Sequence, residues 1–65
     1  SAPRSGEARL AALARIFRGR AVLAAGGSVE RAEAWRRSAE AWARLDAEAG
    51  GALDDLQAAI DARPR

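Results

Sequence analysis

The sequence predicts an all-α fold, a small three-helix bundle, and three observations carry that prediction. Apolar residues recur at helical spacing over three stretches. Glycine pairs, Gly26-Gly27 and Gly50-Gly51, punctuate the chain between them. Nineteen of the 65 residues are alanine, the strongest helix former. The expected helices cover about 6–25, 29–49 and 52–63, forming one domain over 6–63 with a flexible lead at 1–5 and a tail at 64–65. Connections this short make successive helices antiparallel.

Size limits how self-sufficient such a bundle can be. A chain this short buries only about 60% of its unfolded surface. Large apolar side chains number thirteen, two of them tryptophan, and alanine supplies the rest of the hydrophobic fraction. Apolar contact borrowed from a second copy or a larger partner is therefore expected.

In the first helix, Ser5 suits an N-cap and Glu7 places a negative charge in the opening turn. At 100° per residue Leu10, Leu13, Ile16, Phe17 and Leu23 fall within one broad arc, with Arg15 and Arg18 on the far side. Arg9 and Arg20 point into the middle of that arc. One reading lays their methylenes over the edge of the core with the charges in water. The other has Arg20 meet a carboxylate of the third helix. Gly19, worth roughly 1 kcal/mol less than alanine inside a helix, marks a place where this helix could kink or break.

Gly26-Gly27-Ser28 is the clearest boundary: a glycine suited to a left-handed C-cap, then a serine to cap the next helix, with Glu30 in its first turn. The second helix collects Ala32, Trp35, Ala39, Trp42, Leu45 and Ala49 on its apolar face. Trp35 and Trp42 are seven residues apart and share a side. On the opposite side Glu33 with Arg37 and Glu40 with Arg44 have the favourable i,i+4 order, each pair worth about 0.2–0.5 kcal/mol. Those charges read as solvated scaffold.

Gly50-Gly51 closes the second helix in this reading and Pro64 blocks continuation of the third. Leu53, Leu56 and Ile60 form the third helix's apolar stripe, and Asp54 and Asp55 sit in its first turn, where they favour the helix dipole.

Composition excludes more than it names. The chain has no His, Cys, Lys, Tyr, Met, Asn or Thr. That removes the usual general bases, Schiff-base amines and soft metal ligands, so neither an enzyme nor a metal or cofactor site is expected. Absence of cysteine removes the disulfide framework typical of small secreted domains and favours the cytoplasm. No apolar run is long enough to span a membrane, and arginines inside the apolar arc argue against a membrane-surface helix. The chain begins Ser1-Ala2-Pro3-Arg4 rather than with Met, which reads as a processed or excised piece. Every basic residue is arginine, as GC-rich coding produces. A bacterial origin is the expectation.

Charge is polarised along the chain. Residues 1–20 carry five arginines against Glu7, a balance of +4, and residues 46–62 carry five acids and no base, a balance of −5. Either the first and third helices lie together and offset each other, or the basic end of one molecule docks on an acidic surface of another. A net charge of only +2, spread over helices that alternate Glu with Arg, leaves a helix-turn-helix nucleic-acid role as a distant third reading.

From Trp35 to Pro64 the chain resembles a single tetratricopeptide repeat, whose pattern sets Trp, two residues, Leu-Gly, two residues and Tyr before Ala, three residues, Phe and a closing Pro. The corresponding positions here are Trp35, Ser38-Ala39, Trp42, Ala52, Leu56 and Pro64, with one extra residue in the turn. The resemblance implies a peptide or protein scaffold, with the first helix as a cap or the end of a preceding repeat.

The functional expectation is a non-catalytic protein–protein interaction module that associates with itself, a homo-oligomer, or with an unlike subunit. The alternative is a docking or linker domain from a larger bacterial assembly. Candidate contact residues are Trp35, Trp42, Leu45 and Phe17 for apolar contact, and Arg20, Asp54 and Asp55 for charge. Whether the two indoles form the molecule's own core or meet another chain is left open by the sequence.

Overall fold

In a computed structural model, described over residues 5–64 with Ser5 by its backbone alone, the chain forms α1 (Ser5–Ala24), α2 (Val29–Ala43) and α3 (Ala47–Asp61), with no strand among the described residues. The three-helix bundle is as expected. The expected Ser5 cap, the 1–4 part of the lead and Arg65 lie outside the described residues. α1 and α3 run parallel with α2 antiparallel between them in sequence. Arg9 reaches Asp46 at one end, Gly19 lies against Leu56 midway, and Arg63 donates from Nη2 to the Leu23 carbonyl at the other end.

The first turn follows the expectation closely. Gly26 adopts φ 76°, the left-handed conformation that favours glycine. Its N–H donates to the Leu23 carbonyl at 3.0 Å and that of Gly27 to the Val22 carbonyl at 2.8 Å, the paired bonds of a Schellman C-cap. Ser28 then accepts from the Arg31 N–H at 3.2 Å and starts α2. α1 is continuous through Gly19, so the helix is not broken there.

The second boundary differs from the expectation. α2 ends at Ala43 instead of Ala49, the turn is Arg44-Leu45-Asp46, and Gly50-Gly51 lies inside α3. Asp46 decides this. In extended conformation (φ −154°, ψ 119°) its carboxylate accepts from the Ala49 N–H at 3.1 Å and from Arg9 Nε and Nη2 at 3.0 Å each. An N-cap is worth about 1 kcal/mol, and a hydrogen bond to a charged group about 1.5–3 kcal/mol. Two glycines inside a helix cost about 2 kcal/mol relative to alanine, which the cap and the charged pair together exceed. The early start also extends the α3 stripe one turn back, to the buried Ala49. Leu45 and Ala49 therefore leave the apolar face of α2. Asp54 and Asp55 fall in the middle of α3, and the acid of its first turn is Glu48.

Small side chains dominate the core. Ala8, Ala12, Ile16, Gly19 and Leu23 form the buried stripe of α1, Ala32, Ala39 and Ala43 that of α2, and Ala49, Leu56 and Ile60 that of α3. The centre of the α1 stripe thus lies to one side of the predicted arc, with Ile16 and Leu23 inside and Leu10 and Phe17 both 72% exposed. Gly19 shows why. A Cβ there would come within 2.9 Å of Leu56 Cδ2, 3.3 Å of Trp35 Cβ and 3.4 Å of the Ala32 carbonyl oxygen. All three helices close on this one position, and backbones approach that closely only along a face of alanine and glycine. No helix among the described residues is long and apolar enough to cross a membrane.

Candidate interaction surface

The rotation of α1 repositions its arginines. Arg15 and Arg18, expected on the far side, lie over the α1–α2 seam. The Arg15 guanidinium carbon stands 5.6 Å from the Trp42 ring centre and that of Arg18 stands 5.2 Å from the Trp35 ring centre, both within cation–π range. Arg15 is held by two further bonds, Nε to Ser38 Oγ at 3.2 Å and Nη1 to the Ala11 carbonyl at 2.9 Å. Both indoles are half-buried, and Trp42 packs against the core cluster. The two indoles line a seam covered by the protein's own cations.

Charge is also consumed internally. The Arg9–Asp46 pair joins α1 to the start of α3 and extends to Glu48 at 3.6 Å. The Asp46 side chain is 4% exposed and that of Arg9 is 42% exposed. The hydrogen bonds Arg9 donates to Asp46, then the charges of Asp46 and Glu48, hold its guanidinium above the ordinary pKa, against a smaller opposing desolvation. The basic first helix and acidic third helix therefore lie side by side and offset each other at this end. On α2, Glu33 pairs with Arg36 at 2.6 Å instead of with Arg37, and Arg36 continues to Glu40 at 3.4 Å and Glu40 to Arg44 at 3.1 Å. Arg36 wins because its side chain, 17% exposed, lies along the core edge between the two carboxylates. The Glu33 hydrogen bond raises its pKa, and burial opposes that rise.

What remains open is the outer face of α1. Leu10 and Phe17, two helical turns apart, share it with Ala14, Ala21 and Ala24, all exposed. Beside Phe17 a groove of about 680 Å³ runs between the C-terminal half of α1 and α3, walled by Phe17, Ala21, Leu23, Ala24, Ala25 and Ala59. Arg20 is the one charged residue among the described lining. Its side chain is exposed and carries no ion pair with a described residue, so it does not reach the α3 carboxylates. No protein-family model, curated protein or solved structure matches this chain.

Of the candidate residues, the structure brings Phe17 and Arg20 together at the groove. Trp35 and Trp42 lie on the α1–α2 seam. Leu45, 53% exposed, sits in the α2–α3 turn, and Asp54 and Asp55 face solvent from mid-α3 without an ion pair among the described residues. Leu10 belongs to the apolar arc read from the sequence without being among the candidate contacts, and Ala21, Ala24 and Ala59 were not singled out as contacts. The signal for them was the second set of small residues at Ala8, Ala12 and Gly19. That set competes for the core and, by winning, turns Leu10 outward.

Proposed function

We propose that this chain is a non-catalytic cytoplasmic module that holds protein against the outer face of α1. The observation that carries the reading is the exposure of Phe17 and Leu10, 72% each, on a helix whose other side is fully packed. Contiguous exposed apolar surface with a polar margin marks contact sites, and an alanine-walled groove between two helices admits a third helix or a protruding side chain. The likeness of Trp35–Pro64 to a tetratricopeptide repeat points to the same scaffold class. Trp35 and Trp42 act in this reading as the inner wall that fixes α1 in place, with Arg15 and Arg18 as their cover.

The reading requires that the outer face contribute to binding and not to folding. Phe17→Asp should leave helicity and melting temperature close to those of the parent, because an exposed substitution shifts stability by no more than about 0.5 kcal/mol. A collapse of the melting transition in that variant would show that Phe17 belongs to the core and would remove the surface.

A further inference from the structure

We infer that the partner held by this face is an acidic segment of an unlike protein, an amphipathic helix whose apolar side enters the groove beside Phe17 and whose carboxylates flank it. The inference rests on the outer face of α1 being the contact surface. A second hollow, of about 490 Å³, lies on the α2 side of the same half of α1, walled by Val22 and Trp35 and carrying Arg18 and Arg31. Ala21 and Ala25 border both hollows. Arg18 and Arg20 therefore stand on opposite sides of the exposed Phe17–Ala21 ridge. No carboxylate is among the described lining of either hollow. Three other surface hollows each include at least one, from Glu30, Glu33, Glu40 and Asp54.

Charge decides the class of partner. Arg9, Arg36 and Arg44 pair with the molecule's own acids, and Arg15 donates to Ser38 and the Ala11 carbonyl. Arg18, Arg20 and Arg31 are exposed and carry no ion pair with a described residue. Arg18 lays the face of its guanidinium on the Trp35 ring, which leaves the N–H edge free to donate to a carboxylate. Three like charges around an apolar ridge attract an acidic surface and repel a basic one, so a second copy, bringing its own basic α1, is disfavoured. An alanine-walled groove takes an aliphatic side chain, which a peptide supplies and a phosphate backbone does not. The contact is small and its charges are exposed, so the complex is weak and salt-sensitive.

The probe is a fluorescein-labelled peptide of about 16 residues, long enough to form an isolated helix, with leucine at i, i+3, i+4 and i+7 and glutamate beside them. Full-length protein is titrated against it and against the same peptide with glutamine in place of glutamate. The glutamate peptide should bind at least about tenfold more tightly, the factor that several exposed charge pairs supply together. Most of that advantage should vanish between about 0.05 and 0.5 M salt. Combining Arg18→Gln, Arg20→Gln and Arg31→Gln should reduce the preference to about twofold or less, whereas Arg37→Gln, which removes an exposed arginine outside both hollows, should preserve it. Equal binding of the two peptides, or binding of neither at up to about 1 mM, would overturn the acidic partner, and so would a triple variant that is folded by circular dichroism and keeps the full preference. The assignment of the face fails separately: a folded Phe17→Ala variant that binds the glutamate peptide as tightly as the parent would place the contact elsewhere.

Discussion

Both sides of α1 set two large apolar residues among small ones, and the side that is buried is the one that carries Gly19, where the other two helices come closest. The inner face, Ala8, Ala12, Ile16, Gly19 and Leu23, is packed. The outer face, Leu10 and Phe17 above a row of alanines, is open. Side-chain hydrophobicity alone would reverse the assignment for Phe17. Distance of approach settles it: alanine and glycine let α2 and α3 come close to the α1 backbone, and many short contacts at high packing density outweigh fewer contacts held apart by bulk. In a chain with few large apolar residues, close helices are the available route to a dense core.

The largest expected effect falls on the residue that fills the space against the inner face. Leu56 is completely buried beside Gly19, and Leu56→Ala should lower stability by about 3–5 kcal/mol in a denaturant titration; a loss under about 1 kcal/mol would mean that α1 does not close on it. Next is the latch at the start of α3. Asp46→Ala removes both the cap and the pair with Arg9 and should cost about 2–4 kcal/mol, whereas Asp46→Asn keeps a competent cap and should cost about half as much. Equal losses would assign the whole effect to the pair with Arg9, and no loss in Asp46→Asn would assign it to the cap.

Glycine substitutions set the comparison most sharply, because the same change should have opposite signs in packed and open positions. Gly19→Ala gains roughly 1 kcal/mol of helix propensity. It also drives a Cβ to within 2.9 Å of a fully buried Leu56, and overpacking of about 1–3 kcal/mol should leave the variant less stable overall. Gly51→Ala, with nothing within 4 Å of the added carbon and a position inside α3, should stabilise by about 0.5–1 kcal/mol. If Gly51→Ala destabilises instead, the second turn lies at the glycines after all. The smallest effect belongs to Phe17→Asp, within about 0.5 kcal/mol of the parent by melting; its consequence is expected in association and not in folding.

Much of the fold was legible because local signals agreed with one another. Gly26-Gly27-Ser28 combined a left-handed glycine with a serine cap, and the first turn formed where both pointed. At the second turn the signals competed. Gly50-Gly51 looked like the stronger break, and Asp46 won because its carboxylate also binds Arg9, a partner 37 residues away that local pattern does not reveal. The same limit governs the site. Periodicity placed Phe17 and Leu23 on one arc, but which half of the arc is buried depends on how near α2 and α3 approach. That distance is set at Gly19 by Leu56 and Trp35, residues of two other helices. Arg15 and Arg18 followed the same rotation, from an expected solvent face to the indoles of α2.

The rotation of α1 can be read directly from thiol protection in a protein that has no cysteine of its own. Ala12 and Ala14 are chemically identical and two residues apart; Ala12 is 0% exposed against the core and Ala14 is exposed on the outer face. The thiol introduced by Ala14→Cys should react with a water-soluble disulfide reagent at the rate of a free thiol. That introduced by Ala12→Cys should react only through opening of the bundle, slower by a factor of about 100 or more. Equal rates, or the reverse order, would contradict the packing of the small-residue face, and with it the open outer face proposed to hold the partner.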